Sequence, residues 1–70
     1  MEHTIIIKWD EEAHVWYAAC DSIPIALESG SLDALIERIK IAAPEMLAEN
    51  GILSSQDRLC FKAERREKIA

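Results

Sequence analysis

Cysteine, glycine and proline are scarce in this 70-residue sequence, which has two of each. The two cysteines, Cys20 and Cys60, are too few for a disulfide framework, and in a reducing compartment both remain thiols. We interpret them as small buried residues of two strands. Because glycine occurs only at positions 30 and 51, no glycine-rich loop is available to cradle a phosphate.

Positive charge and long apolar runs are also lacking. The net charge is −5, which argues against nonspecific binding to nucleic acid or to an anionic membrane. The start, Met-Glu-His-Thr, lacks the positive region and apolar core of a signal peptide, and no apolar run approaches the length of a membrane span. We therefore predict a cytoplasmic protein.

What the sequence does have is much apolar material for its size, since 50% of its residues are hydrophobic. A chain this short predicts one domain, with a core over residues 3–64 and a charged tail over 65–70. Such a domain buries a smaller fraction of its surface than a larger one does. Excess apolar surface usually lies in a subunit interface, so we predict a homo-oligomer, either a dimer or a tetramer.

The segment from Ser31 to Asn50 has the periodicity of one amphipathic helix. Ser31 is placed to cap its start, and the pair Asn50-Gly51 is placed to end it. Pro44 lies inside and removes one helical hydrogen bond, which predicts either a kink near Ala43 or two abutting helices. The apolar stripe consists of Leu32, Leu35, Ile36, Ile39, Ala42, Ala43, Met46 and Leu47.

Four stretches have strand character, namely residues 4–9, 14–20, 25–28 and 58–64. The first is apolar at nearly every position, which predicts a central strand buried on both faces. The order is βββαβ, and a right-handed crossover through the helix predicts an α+β fold with sheet order 3-2-1-4. One helix covers only one face of such a sheet, so we predict that a partner covers apolar residues elsewhere, namely Ile6, Trp16, Ala18, Ile25, Leu27 and Phe61.

Acidic residues cluster at the first hairpin, where Asp10, Glu11 and Glu12 lie near His14. Adjacent carboxylates on a turn point in different directions, so we interpret the cluster as a solvated loop tip. Asp10 and Asp21 could instead form the remnant of a nuclease pair, although two-metal hydrolysis needs several convergent carboxylates. A degenerate metal-dependent nuclease is therefore the enzymatic alternative.

Other chemical patterns are incomplete. Zinc ligands would have to come from His3, His14, Cys20 and Cys60, none of which form a close pair, and no serine or cysteine has a recognisable base and acid beside it. The sequence therefore predicts no catalytic residue, no metal and no cofactor. A basic strip in the last strand and tail is diluted by Glu64 and Glu67, and we interpret it as a solvated edge. It consists of Arg58, Lys62, Arg65 and Arg66.

A string of short motifs over residues 3 to 51 resembles a family of small bacterial domains of unknown function, the 1902-type, which is similar to HicB-like antitoxin domains. Its combination of Trp-Asp, Val-Trp and Pro-Glu-x-Leu is more specific than any single piece. The motifs are Trp9-Asp10, Glu12-Ala13, Val15-Trp16-x-Ala18, Asp21-x-Ile23-Pro24, Leu32-x-x-Leu35-Ile36 and Pro44-Glu45-Met46-Leu47-x-x-Asn50-Gly51.

The resemblance implies a partial ribonuclease H-like fold that lacks the catalytic carboxylates of the nuclease. It also implies a noncatalytic, antitoxin-like domain that neutralises a small basic toxin ribonuclease by binding it. From the apolar strands themselves we expect the domain to self-associate through its sheet. Two features depart from the family. Ile25 follows Pro24 where members commonly have glycine, and the residues after Glu64 are too few for the usual DNA-binding domain, so DNA binding is not expected. A structural oligomer without a toxin is the remaining alternative.

Overall fold

A computed structural model, describing residues 1–69, contains one four-stranded sheet and one helix. The elements are β1 (Glu2–Asp10), β2 (Val15–Ala19), β3 (Ala26–Ser29), α1 (Leu32–Glu49) and β4 (Arg58–Glu64). The sheet order is β3-β2-β1-β4, with antiparallel β1–β2 and β2–β3 pairs and a parallel β1–β4 pair. The predicted βββαβ fold and its sheet order are confirmed. Residues 65–69 of the predicted tail follow β4 outside any strand, and Ala70 lies outside the described residues.

The β1–β2 hairpin turns through residues 11–14. The Asp10 carboxylate closes this turn by accepting the backbone N–H groups of Glu12 at 3.1 Å and Ala13 at 3.2 Å. His14 has φ 55°, in the left-handed region. This conformation ends the turn, so β2 begins at Val15, one residue later than predicted.

The link from β2 to β3 contributes to the core. Ile23 and Ile25 are 1% and 5% exposed, and the Ile25 N–H donates to the Ile23 carbonyl at 2.7 Å across Pro24. This tight turn directs Ile25 into the core, so β3 begins at Ala26, one residue later than predicted.

Both ends of α1 have the caps that the sequence predicts. The Ser31 hydroxyl accepts the Ala34 N–H at 3.2 Å. At the other end Gly51 has φ 69°, its N–H donates to Ala48, and the Ile52 N–H donates to Leu47, both at 3.0 Å. These bonds satisfy the last carbonyls of the helix. Within residues 1–69, no helix combines the length and the apolar character that crossing a bilayer would need.

Pro44 lies inside α1, which runs without interruption from Leu32 to Glu49. The alternative of two abutting helices is therefore wrong. Pro44 and Lys40 are both exposed, so the Lys40 carbonyl that loses its amide partner is on the solvent side of the helix.

The core lies between α1 and one face of the sheet. Residues spaced four apart on α1 and alternate residues of β1 belong to this core, as the helical and strand periodicities require. The prediction that β1 is central is confirmed, but burial on both faces is not observed, because Ile6 is 39% exposed and Lys8 is exposed. The buried apolar residues are Ile5, Ile7, Ala18, Ile23, Ile25, Leu35, Ile39, Ala43 and Leu47.

One polar side chain, His3, is buried in this core at 2% exposure. Its Nδ1 lies 2.8 Å from the Ser22 hydroxyl, and its Nε2 lies 3.3 Å from Oδ1 of Asp57. The second carboxylate oxygen of Asp57 accepts the Ser54 N–H at 2.7 Å, and the N-terminal ammonium lies 3.5 Å from the first. We call His3, Ser22 and Asp57 the histidine clasp. It joins β1 to the loops on either side.

Asp57 makes the clasp dependent on pH. The Ser54 N–H is the main cause that lowers the pKa of Asp57 below its ordinary value; burial opposes this, and the His3 ring and the N-terminal ammonium lower the pKa further. A carboxyl whose pKa is lower in the folded state stabilises the fold above its unfolded pKa of about 4. That contribution is lost as the pH falls through the folded-state pKa.

Replacing Asp57 with Asn tests this dependence. We expect the variant to have a lower free energy of unfolding at pH 7 than the parent, and a smaller loss of that free energy between pH 7 and pH 3, because the titrating group is gone. Urea unfolding at both pH values measures the difference. Glu12→Gln removes one charge from the exposed hairpin as a control. An Asp57→Asn variant with the parent's pH dependence would contradict the assignment.

Replacing Pro44 with Ala tests the cost of the proline. The substitution restores the hydrogen bond to the Lys40 carbonyl but gives up the rigidity of proline in the unfolded chain, so we expect a net gain of about 2 kcal/mol in the free energy of unfolding. Urea unfolding measures it, with Glu45→Ala as the neighbouring exposed control. A variant no more stable than the parent would show that the helix accommodates Pro44 without cost.

Candidate functional site

The sheet face opposite α1 is not covered by any element in residues 1–69, and we call it the open face. Its membership follows from the strand register, because directly paired residues point to the same side of a sheet. Ile6 pairs with Ala19, and Tyr17 pairs with Lys8, so all four lie together. The middle of the open face consists of Thr4, Ile6 and Lys8 on β1, Tyr17 and Ala19 on β2, Ala26 and Glu28 on β3, and Cys60, Lys62 and Glu64 on β4. The pairs of Glu2 with Arg58 and of Asp10 with Val15 lie at its two ends.

Two neighbouring rows across the strands form the centre of the open face. In one row Ala26, Ala19 and Ile6 are neighbours, which makes a low apolar floor with one large side chain. In the next row Tyr17 lies between Glu28 and Lys8. Ile6 and Tyr17 are 39% and 42% exposed. The open face is therefore apolar at its centre and carries charges of both signs around it.

A cleft of about 270 Å³ adjoins this centre. Ile6 and Ala19 form its apolar wall, and Asp21 and Ser22 form part of its rim. It extends the open face toward the loop that follows β2.

The six predicted interface residues do not share this surface. Ile6 lies on the open face, whereas Ala18 pairs with Ile7 and Leu27 on the side of α1. Ile25 is buried in the core. The six residues therefore do not form one uncovered patch, because Trp16 and Ala18 of β2 point to the side of α1. The residues placed on the helix side are Trp16, Ala18, Leu27 and Phe61.

An aromatic cluster lies on the helix side at the hairpin end of the sheet. Trp9 of β1 lies directly opposite Trp16 of β2. Their ring centroids are 5.3 Å apart, in an edge-to-face arrangement. The guanidinium of Arg65 lies 3.9 Å from the centroid of Trp9, and the Trp9 indole N–H donates to Glu11. Arg65 thus attaches the tail to the hairpin through a cation–π contact.

The carboxylates of the nuclease alternative lie far apart. Asp10 ends β1 opposite Val15, whereas Asp21 follows β2 six residues after Val15. At the rise of a strand this separates the two aspartates by roughly 20 Å. Asp10 is also engaged in closing the hairpin. Within the described residues, no group of three His, Cys, Asp or Glu side chains is placed to hold a metal ion.

The histidine clasp has a connectivity that the sequence did not reveal. In the tautomer that donates from Nε2 to Asp57, Nδ1 accepts a hydrogen bond from the Ser22 hydroxyl. Serine hydrolases bring the same three residue types together, but with the two ring nitrogens exchanged. Here, however, the ring is almost fully buried and Asp57 is shared with Ser54 and the N-terminus. We therefore interpret the clasp as structural. The available signal was a histidine directly before a strand predicted to be central, since an imidazole that such a strand carries into the core needs polar partners.

The two cysteines are free thiols, and both are half-buried. Cys20 follows β2 and Cys60 belongs to β4, so they lie on opposite sides of β1.

Comparison with known proteins gives a family and a structural relative. A hypothetical protein of the extremely thermophilic bacterium Thermus thermophilus has a crystal structure that matches with a TM-score of 0.83 and 32% sequence identity, over 99% of this chain and 100% of that one. No protein of curated function matches. The model of the domain of unknown function DUF1902 matches residues 2–70. The chain therefore belongs to the DUF1902 family of domains of unknown function.

Proposed function

We propose that this domain is a noncatalytic, HicB-like binding protein that acts as an antitoxin, neutralising a small basic toxin ribonuclease by covering it, and that it self-associates through its sheet. The observation that carries the proposal is the open face, an uncovered sheet surface with Ile6 and Tyr17 exposed at its centre.

The shape of the open face favours a protein partner. A sheet normally buries an apolar face against a second layer, and here one face has α1 while the other has none within residues 1–69. The small side chains of Ala19 and Ala26 allow an element of a partner to approach closely beside Ile6. Tyr17 supplies a large, rigid surface with a hydroxyl, the kind of residue that dominates binding energy in interfaces. The charged neighbours would form the polar rim.

The charge distribution favours a basic partner. Residues 1–57 contain 11 Asp and Glu against three Lys and Arg, so this part of the chain has a net charge of −8. A ribonuclease must hold the phosphates of its RNA with basic groups. An acidic protein is steered toward such a surface and competes with RNA for it.

The motif string from Trp9 to Gly51 adds support through its resemblance to HicB-like domains, whose true antitoxins act by binding the toxin. The same open face would also suit a structural oligomer without a toxin, which the experiment below separates. The nuclease alternative has less support, since Asp10 and Asp21 lie at opposite ends of the β1–β2 hairpin.

Co-expression with the neighbouring reading frame tests the proposal. We expect a small basic protein to co-purify with this domain, and the domain to rescue growth from that protein's toxicity. Tyr17→Asp and Ile6→Asp should each weaken binding about tenfold or more, since buried interface anchors contribute about 1–3 kcal/mol. Binding is measured by titration calorimetry with the purified pair.

A matched control is Ile41→Asp, because Ile41 is 66% exposed on α1, away from the open face. It should leave binding and rescue unchanged. Normal folding of the Tyr17 and Ile6 variants is checked by circular dichroism. Absence of any co-purifying basic protein would favour the structural oligomer. Magnesium- or manganese-dependent RNA cleavage that is lost in Asp10→Asn would favour the nuclease.

A further inference from the structure

The outer edge of β4 is an unpaired strand edge within residues 1–69, because β4 pairs with β1 alone. Seven residues long, it is a longer edge than the four residues of β3 at the other side of the sheet. Exposed edges of this kind pair readily with another strand unless charge or shape prevents it.

The hydrogen bonds of β4 identify which backbone groups point outward. The Arg58 N–H donates to the Met1 carbonyl at 3.0 Å, so the backbone of Arg58 faces β1. Because backbone groups alternate sides along a strand, Cys60, Lys62 and Glu64 face β1 as well. The outward N–H and C=O groups are then those of Leu59, Phe61 and Ala63.

The side chains on this edge are also incompletely covered. Leu59 and Phe61 point to the side of α1 but are only half-buried, and Ala63 is exposed. The contacts of α1 with the sheet lie mainly on β3 and β2, the strands far from β4. An apolar strip of the core therefore reaches the surface beside the unpaired backbone.

We propose that β4 is the interface of a two-fold dimer, in which it pairs antiparallel with β4 of a second copy about Phe61, forming one continuous sheet. In this register Leu59 is opposite Ala63 of the second copy, and the two Phe61 side chains are neighbours. All three outward residues then form hydrogen-bonded pairs, which gives about six hydrogen bonds across the interface.

Charge complementarity selects this register. Pairing about Phe61 places Arg58 opposite Glu64 of the second copy, twice by symmetry, and Cys60 opposite Lys62. Pairing about Cys60 would place Arg58 opposite Lys62, and pairing about Lys62 would place the two Lys62 side chains together, so both registers oppose like charges. Glu64 is 54% exposed and pairs with Arg66 of its own tail, so it is accessible to a new partner.

This inference rests on the self-association in the proposed function and not on the toxin, so it is tested with the purified domain alone. We expect a concentration-dependent dimer by sedimentation equilibrium. Arg58→Glu and Glu64→Arg should each weaken dimerisation about tenfold or more, because each turns two attractive cross-strand pairs into repulsive ones. A mixture of the two variants should form a heterodimer. In it, the new Glu at position 58 of one copy is opposite the new Arg at position 64 of the other, and the remaining pair is the parent's Arg58 with Glu64. Both pairs are then attractive again.

The matched controls are Lys40→Glu and Glu45→Arg, which make the same charge changes at exposed positions of α1. They should dimerise like the parent. A parent that stays monomeric, or a mixture of Arg58→Glu and Glu64→Arg that associates no better than either variant alone, would overturn the proposal. Loss of the dimer with retained toxin binding would separate the two functions.

A disulfide tests the register independently. In a Cys20→Ser background, Lys62→Cys places a thiol directly opposite the native Cys60 of the second copy, in a pair whose Cα atoms would lie about 4.5 Å apart, within disulfide range. Mild oxidation should give a covalent dimer, and adding Cys60→Ser should abolish it. Failure to cross-link, or equal cross-linking without Cys60, would overturn the register. Amide exchange of the purified domain gives the last check. The amides of Leu59, Phe61 and Ala63 should become protected as the protein concentration rises through the range of dimerisation, and a dimer in which they stay unprotected would overturn the proposal.

Discussion

The structure depends on the fact that one helix must cover a four-stranded sheet. An 18-residue helix is about 27 Å long and about 10 Å wide, whereas four strands span roughly 19 Å across the sheet. α1 therefore covers one face and lies toward β2 and β3. Two surfaces follow from this geometry, the open face on the far side and the strip beside Leu59 and Phe61 at the β4 edge.

The parallel crossover determines the remainder of the core. It places β4 beside β1 and so makes β1 an inner strand of the sheet, and β1 carries His3 into the interior. A buried imidazole is costly unless both ring nitrogens have partners. Ser22 and Asp57 supply them from the two loops on either side, so one side chain of β1 contacts both connections.

Local signals in the sequence were enough to predict the elements and their order. Ser31 and Gly51 mark the ends of the helix through contacts with their near neighbours in the chain, and the handedness of the crossover gives the strand order. The facing of β2 could not be predicted, since Val15 to Ala19 are all apolar and a shift of one residue exchanges the two faces. This ambiguity explains why Trp16 and Ala18 were expected on the uncovered side. The histidine clasp was missed because its partners are 19 and 54 residues from His3 along the chain.

The open face and the β4 edge can bind partners at the same time. A two-fold axis that pairs two β4 strands within one sheet is perpendicular to that sheet, so both helices lie on one side and both open faces on the other. A partner on the open face would then meet two copies of the apolar row around Ile6 and not one. If it contacted both, the second contact would be intramolecular and would strengthen binding without any new kind of interaction. Edge pairing would in this way help a small domain with a shallow open face to hold a partner firmly.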